Sequence, residues 1–211
     1  VKNTADRGAY RRAAIRDPRR GNGHLCVSGT VFLRAISGIR GGSSANAGGQ
    51  RQRLRSAGIN IPEGVYYVPI DFTCDDPFAA LLSSGYDPQK KTFFSWLGVS
   101  MYLDRAAIER LLDEVPSHAA KGSSLVFDYA SAGLFLSEDR RVQNMLAMAQ
   151  AGGEEMRASF DPMSLELLAA DHGFLVYEHL MTADIQKRYF DGRDDDLSAF
   201  PCICFAHAVV Q

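Results

Sequence analysis

No run of eighteen or more apolar residues occurs anywhere in the chain, so a membrane-spanning helix is not expected. Cysteine is scarce, with four residues at positions 26, 74, 202 and 204. That is too few for a disulfide framework, and the spacing is not that of a zinc site. The early arginines Arg11, Arg12, Arg16, Arg19 and Arg20 are followed by no hydrophobic region of the kind that secretory signals carry. A reducing, cytoplasmic setting and no membrane partner are the expectations. Acidic side chains are nearly missing from the first 58 residues, where Asp6 and Asp17 face eleven Arg and one Lys. The formal charge there is +10, against -12 for the remainder. Such asymmetry indicates either a basic arm for an anionic partner or two segments of different origin.

What the chain does contain is 46% hydrophobic residues in 211, enough for one sizeable core. Before Gly58 no clean period emerges, although Val27 to Ile36 suits a strand or a short buried helix. After Gly58 strand-like and helix-like segments alternate. Val65 to Ile70 is β-branched and aromatic and ends in Asp71. Asp75-Asp76-Pro77 reads as a helix start running toward Gly85. Lys91 to Leu97 is a second strand, and Asp104 caps a helix expected to run to about Pro116. Ser124 to Asp128, Phe174 to Tyr177 and Cys202 to Val210 are further strands. Between them, helices are expected over Ser137 to Gln150, Pro162 to Asp171 and Thr182 to Phe190. Regular alternation over about 150 residues points to a largely parallel sheet with helices on both faces.

In open α/β sheets ligands bind outside the carboxyl ends of the strands. Asp71-Phe72, Trp96-Leu97-Gly98 and Asp128-Tyr129 each end an expected strand. Asp71 suits either a hydrogen bond from an exocyclic amine, with Phe72 against a purine, or a simple turn cap. The sole tryptophan lies two residues before Gly98, and a glycine there permits close approach of backbone to ligand. Aromatic rings beside such a site suit a cation, and for Phe93 and Phe94 core packing is favoured. Cys202, Cys204 and His207 make a poor metal site, so no metal is expected. His118, His172 and His179 carry no evident acid and nucleophile partners for a triad.

The order Val68-Pro69-Ile70-Asp71-Phe72, Gly85-Tyr86-Asp87-Pro88, the run Thr92 to Leu103, Ser123 to Tyr129 and Arg188-Tyr189-Phe190 closely resembles the leucine carboxyl methyltransferase-like proteins. The resemblance covers about residues 50–211. It implies a Rossmann-like class I methyltransferase sheet, mainly parallel with an antiparallel strand near one edge. It also implies S-adenosyl-L-methionine as cofactor, transfer of a methyl group to a carboxyl or hydroxyl oxygen, and a small-molecule acceptor. By motif, Asp71 and Phe72 match the pair that meets the adenine. Trp96, Leu97 and Gly98 match the next cofactor-lining stretch, with Leu97 standing where many relatives have glutamate. Tyr102 and Asp128 are the expected acceptor-side residues, with His179 a third candidate base. The residues name no catalytic group and no oligomeric state.

Residues 1–49 depart from that pattern as a basic, Gly/Arg-rich segment expected to be poorly ordered or degraded, beside the α/β domain of 50–211. The glycine-rich turn and the ribose-binding acid are not convincingly present, with Cys26 to Gly29 a poor substitute. The N-terminal strands are expected to be incomplete or irregular, as an out-of-frame reading of a GC-rich gene would make them. A second function stays open on this ground: an inactive remnant whose basic arm binds a polyanion, although too few aromatics are present to favour nucleic acid. In the methyltransferase reading, the tips at Asp71 and Gly98 are expected to form one wall of a nucleoside pocket.

Overall fold

The computed structural model describes residues 29–32, 55–58, 76–83 and 85–211. Among the described residues, five strands form one sheet in the order β1-β2-β3-β5-β4. They are β1 (Gly29–Phe32), β2 (Thr92–Trp96), β3 (Ser124–Ala130), β4 (Phe174–Leu180) and β5 (Ile203–Val210). β1, β2 and β3 pair in parallel, while β5 runs antiparallel to both β3 and β4. The sheet is therefore mainly parallel with its antiparallel strand next to one edge, as expected. A bulge between Val176 and Glu178 interrupts the β4 edge, a feature that discourages pairing with another chain.

Strand β1 falls inside the segment 1–49 and resolves the two readings of Val27 to Ile36 in favour of strand. Its register, Gly29 opposite Thr92 through Phe32 opposite Ser95, occupies one edge of β2, and β3 occupies the other. The expected wall shared by the tips at Asp71 and Gly98 falls partly on residues that are not described. Val65 to Ile70, Asp71 and Phe72 lie outside the described residues.

Four helices start where an aspartate side chain satisfies free amides. Asp76 Oδ1 accepts from the Phe78 and Ala79 amides at 2.9 Å and opens α1 (Pro77–Ser83). Asp104 accepts from the Ala107 amide and opens α2 (Arg105–His118). This helix continues two residues past Pro116 because its last turn finds side-chain donors. Ser117 Oγ donates to the Asp113 carbonyl at 2.7 Å, and His118 Nδ1 lies 3.0 Å from that of Glu114. Asp139 caps α3 (Arg140–Ala151), so the helix begins after Ser137 rather than at it. Asp161 caps α4 (Pro162–Asp171), with Pro162 in the first turn, where a missing amide costs nothing. α5 (Thr182–Ile185) runs into a π-helical turn, Gln186–Phe190.

Alternation within the strands builds the core. Phe94 and Trp96 of β2, Leu125, Phe127 and Tyr129 of β3, and Cys204, Ala206, Ala208 and Val210 of β5 share one cluster with Phe78, Ile108, Leu112, Val115, Leu165 and Leu168 of the helices. Burial of such side chains stabilises the fold by about 1.5–3 kcal/mol each. A smaller cluster, Met101, Ala130, Leu134, Val142 and Met156, gathers under α3. Among the described residues no helix is long and apolar enough to cross a membrane.

Candidate functional site at the carboxyl tips of β2 and β3

Strand β2 ends at Trp96, and the chain turns through Leu97 and Gly98 into a 3-10 turn, Ser100–Tyr102. Gly98 has φ +74, a left-handed value that side chains other than glycine rarely take. Among the described residues, a Cβ built on it would meet nothing within 4 Å. Glycine is thus required by backbone conformation, and open space lies over the peptide. Leu97 beside it is 42% exposed, so an exposed apolar side chain adjoins the glycine.

This turn is held from β3. Asp128, near the carboxyl end of β3 and 9% exposed, accepts the Gly98 amide hydrogen at 2.7 Å through Oδ1. Its backbone carbonyl accepts from the buried Ser100 hydroxyl. One residue of β3 thereby fixes two points of the turn that follows β2. Burial raises the Asp128 carboxyl above the ordinary carboxylate range, and the Gly98 amide partly opposes that shift. Because the Gly98 amide is already engaged, the tip offers a ligand the Leu97 side chain and the Gly98 methylene rather than that donor.

Tyr102, half-buried, is pushed above the ordinary phenol value by burial and then by the carboxylates of Glu154 and Asp128. It therefore keeps its proton and can donate a hydrogen bond, which disfavours it as a base. The Met101 carbonyl accepts from the Arg157 amide at 2.7 Å and the Ala158 amide at 3.2 Å, tying the turn to the segment before α4.

Trp96 does not face the open space. It is fully buried in the larger cluster, its ring 5.9 Å from that of Phe127. Strand alternation explains the placement, since Trp96 sits opposite Phe127 on the core side. Its indole is packed in that cluster. Each of three histidines does have an acid: His118 lies 3.2 Å from Glu114, His172 2.5 Å from Asp113 and His179 3.3 Å from Glu166. His179 Nδ1 also meets the Tyr129 hydroxyl at 3.0 Å. That phenol is fully buried, so the Glu166-His179-Tyr129 chain presents no hydroxyl that a substrate can reach. No group of three or more metal-ligating side chains occurs among the described residues.

An open groove lies elsewhere, on the loop after the π-helical turn. Arg188, Tyr189, Asp191, Arg193, Asp194 and Asp195 line it, and none of the strand-tip residues does.

The Ser100 clamp was not singled out from sequence. A serine two residues past a glycine after a strand carries no signal until its partner, 28 residues on, is known.

Comparison with known proteins follows this geometry. Residues 45–116 match the family model described as leucine carboxyl methyltransferase. The chain is 41% identical over 162 residues to YktD of Bacillus subtilis (strain 168), described as a candidate S-adenosyl-L-methionine-dependent methyltransferase; the match covers 76% of this chain and 53% of that protein. A similarly described protein of Mycolicibacterium smegmatis (strain ATCC 700084 / mc(2)155) is 33% identical over 94 residues, covering 44% of this chain and 28% of the relative. The chain thus spans about half or less of the length of these curated relatives. Among solved structures, a DUF574 family protein from Streptomyces avermitilis MA-4680 aligns with TM-score 0.51 and 16% identity, over 69% of this chain and 55% of that one. Mitomycin 7-O-methyltransferase MmcR aligns with TM-score 0.51 and 12% identity, over 88% and 42%. At such identities these structures speak for the fold alone.

Proposed function

This chain belongs to the leucine carboxyl methyltransferase-like family of class I methyltransferases, and from that premise we propose that it binds S-adenosyl-L-methionine at the carboxyl tips of β2 and β3 and serves methyl transfer to an oxygen of a small molecule. The observation that carries the reading is the exposed Leu97 beside Gly98, held open at the end of a buried strand by Asp128. A solvent-facing leucine followed by an unobstructed glycine suits the flat, apolar face of a nucleoside. Asp71 and Phe72 are proposed to complete that contact.

When bound, S-adenosyl-L-methionine supplies a methyl group made electrophilic by its sulfonium. The chain's own task is alignment and exclusion of water, and well-oriented reactants recover about 7–11 kcal/mol of such a barrier. A carboxylate acceptor needs no base. This favours a carboxyl acceptor here, because Tyr102 keeps its own proton and can donate to the acceptor. Asp128 serves by holding the turn through Gly98.

Calorimetric titration with S-adenosyl-L-methionine, followed by an assay of radiolabelled methyl transfer to a panel of carboxylic and phenolic acids, tests the proposal. Saturable binding with transfer favouring carboxylic acids supports it. Transfer confined to phenols would overturn the acceptor assignment, and absence of binding would overturn the whole.

A further inference from the structure

Two bonds converge on Asp128, and only one comes from the proposed ligand-facing turn itself. The Gly98 amide belongs to the wall. Ser100 lies beyond it, 1% exposed, and touches no open space. Its hydroxyl reaches back to the Asp128 carbonyl, so the turn is pinned behind Gly98 as well as at it. Between these two points the chain passes through Val99, which is 1% exposed and anchored in the larger core cluster. A left-handed glycine with nothing against its outer side has little of its own to hold that conformation. The second bond therefore adds a restraint on the Gly98 peptide beyond its own bond to the carboxylate and the anchoring of Val99.

We infer that Ser100 is a positioning residue: acting through Asp128, it fixes the Leu97-Gly98 peptide as a wall of the donor site. This inference rests on the function proposed above. Ser100 touches neither cofactor nor acceptor. Its effect falls on cofactor affinity, because the wall it steadies faces the donor, and not on the acceptor.

The test uses the full chain with Ser100→Ala and Ser100→Thr, the latter keeping the hydroxyl. Three quantities are read: the Kd for S-adenosylhomocysteine, the melting temperature, and amide hydrogen exchange at Gly98 beside that at Leu125 in mid-strand. Loss of one such bond is expected to raise the Kd about tenfold in Ser100→Ala. Gly98 exchange is expected to rise by a similar factor while Leu125 stays protected. Ser100→Thr is expected to restore affinity and protection to within about threefold of wild type, twofold to threefold being ordinary context dependence for one bond. A purely structural role would instead raise exchange at Leu125 as much as at Gly98, and that result overturns the inference. Unchanged affinity in Ser100→Ala, with wild type binding normally, overturns the positioning role while leaving the proposed function intact. A wild-type chain that fails to bind S-adenosylhomocysteine overturns both.

Discussion

The carboxylate of Asp128 accepts the amide hydrogen of Gly98 at 2.7 Å across 30 residues of sequence, joining the end of β3 to the end of β2. That bond sets the shape of the strand-tip surface, and its consequences can be measured.

Gly98→Ala keeps the fold but strains the turn. The added Cβ meets no neighbour, so the cost is the left-handed backbone alone, about 1–2 kcal/mol. Urea denaturation is expected to show that loss. Cofactor affinity is expected to fall further than stability does, since the methyl group projects into the open space.

Asp128 gives a pH dependence of definite sign. Burial raises its carboxyl in the folded chain, so between the ordinary carboxylate value, about pH 4, and the raised one the folded state holds more protons than the unfolded. Stability from this group therefore falls as pH rises through that window and is level above it. Asp128→Asn keeps an oxygen for the Gly98 amide and removes the charge. It is expected to match or exceed wild-type stability at pH 7 and to lose that advantage below about pH 4. Asp128→Ala, which removes the acceptor, is expected to be less stable at every pH.

Trp96 reports on the core and not on the ligand. It is the only tryptophan and is fully buried. Its fluorescence is expected to be blue-shifted, poorly quenched by acrylamide and unmoved by S-adenosylhomocysteine. Trp96→Ala is expected to cost about 3–5 kcal/mol, seen as a lowered denaturation midpoint.

The Tyr129-His179 pair is expected to behave as one unit. His179→Leu leaves the buried Tyr129 hydroxyl without its nitrogen partner, a cost of about 1–3 kcal/mol. Tyr129→Phe in the same background should recover part of it in a double-mutant cycle, and additive losses would contradict the coupling.

The sequence made some of this legible and hid the rest for physical reasons. Helix starts were readable because Asp104, Pro162 and the Asp76-Pro77 pair act within three residues of their targets. Strands β2 and β3 were readable because burial on both faces demands apolar runs, and β5 was readable as a further apolar stretch, buried at every second residue. Gly98 stood out as a glycine closing such a run. The Ser100-Asp128 bond was hidden because it joins residues 28 apart whose meeting depends on strand order. The burial of Trp96 was not legible, because an aromatic beside a site and an aromatic beneath it look alike until strand register assigns the face. The carboxylate beside each histidine was hidden for a similar reason, since Asp113 and His172, for example, lie 59 residues apart in sequence.

The account stands most directly on where a nucleoside lands. Titration of isotope-labelled chain with S-adenosylhomocysteine, followed by amide chemical shifts, is predicted to move Leu97, Gly98 and Val99 first and to leave the loop from Asp191 to Asp195 in place. Shifts confined to that loop, or none at millimolar ligand, would contradict it.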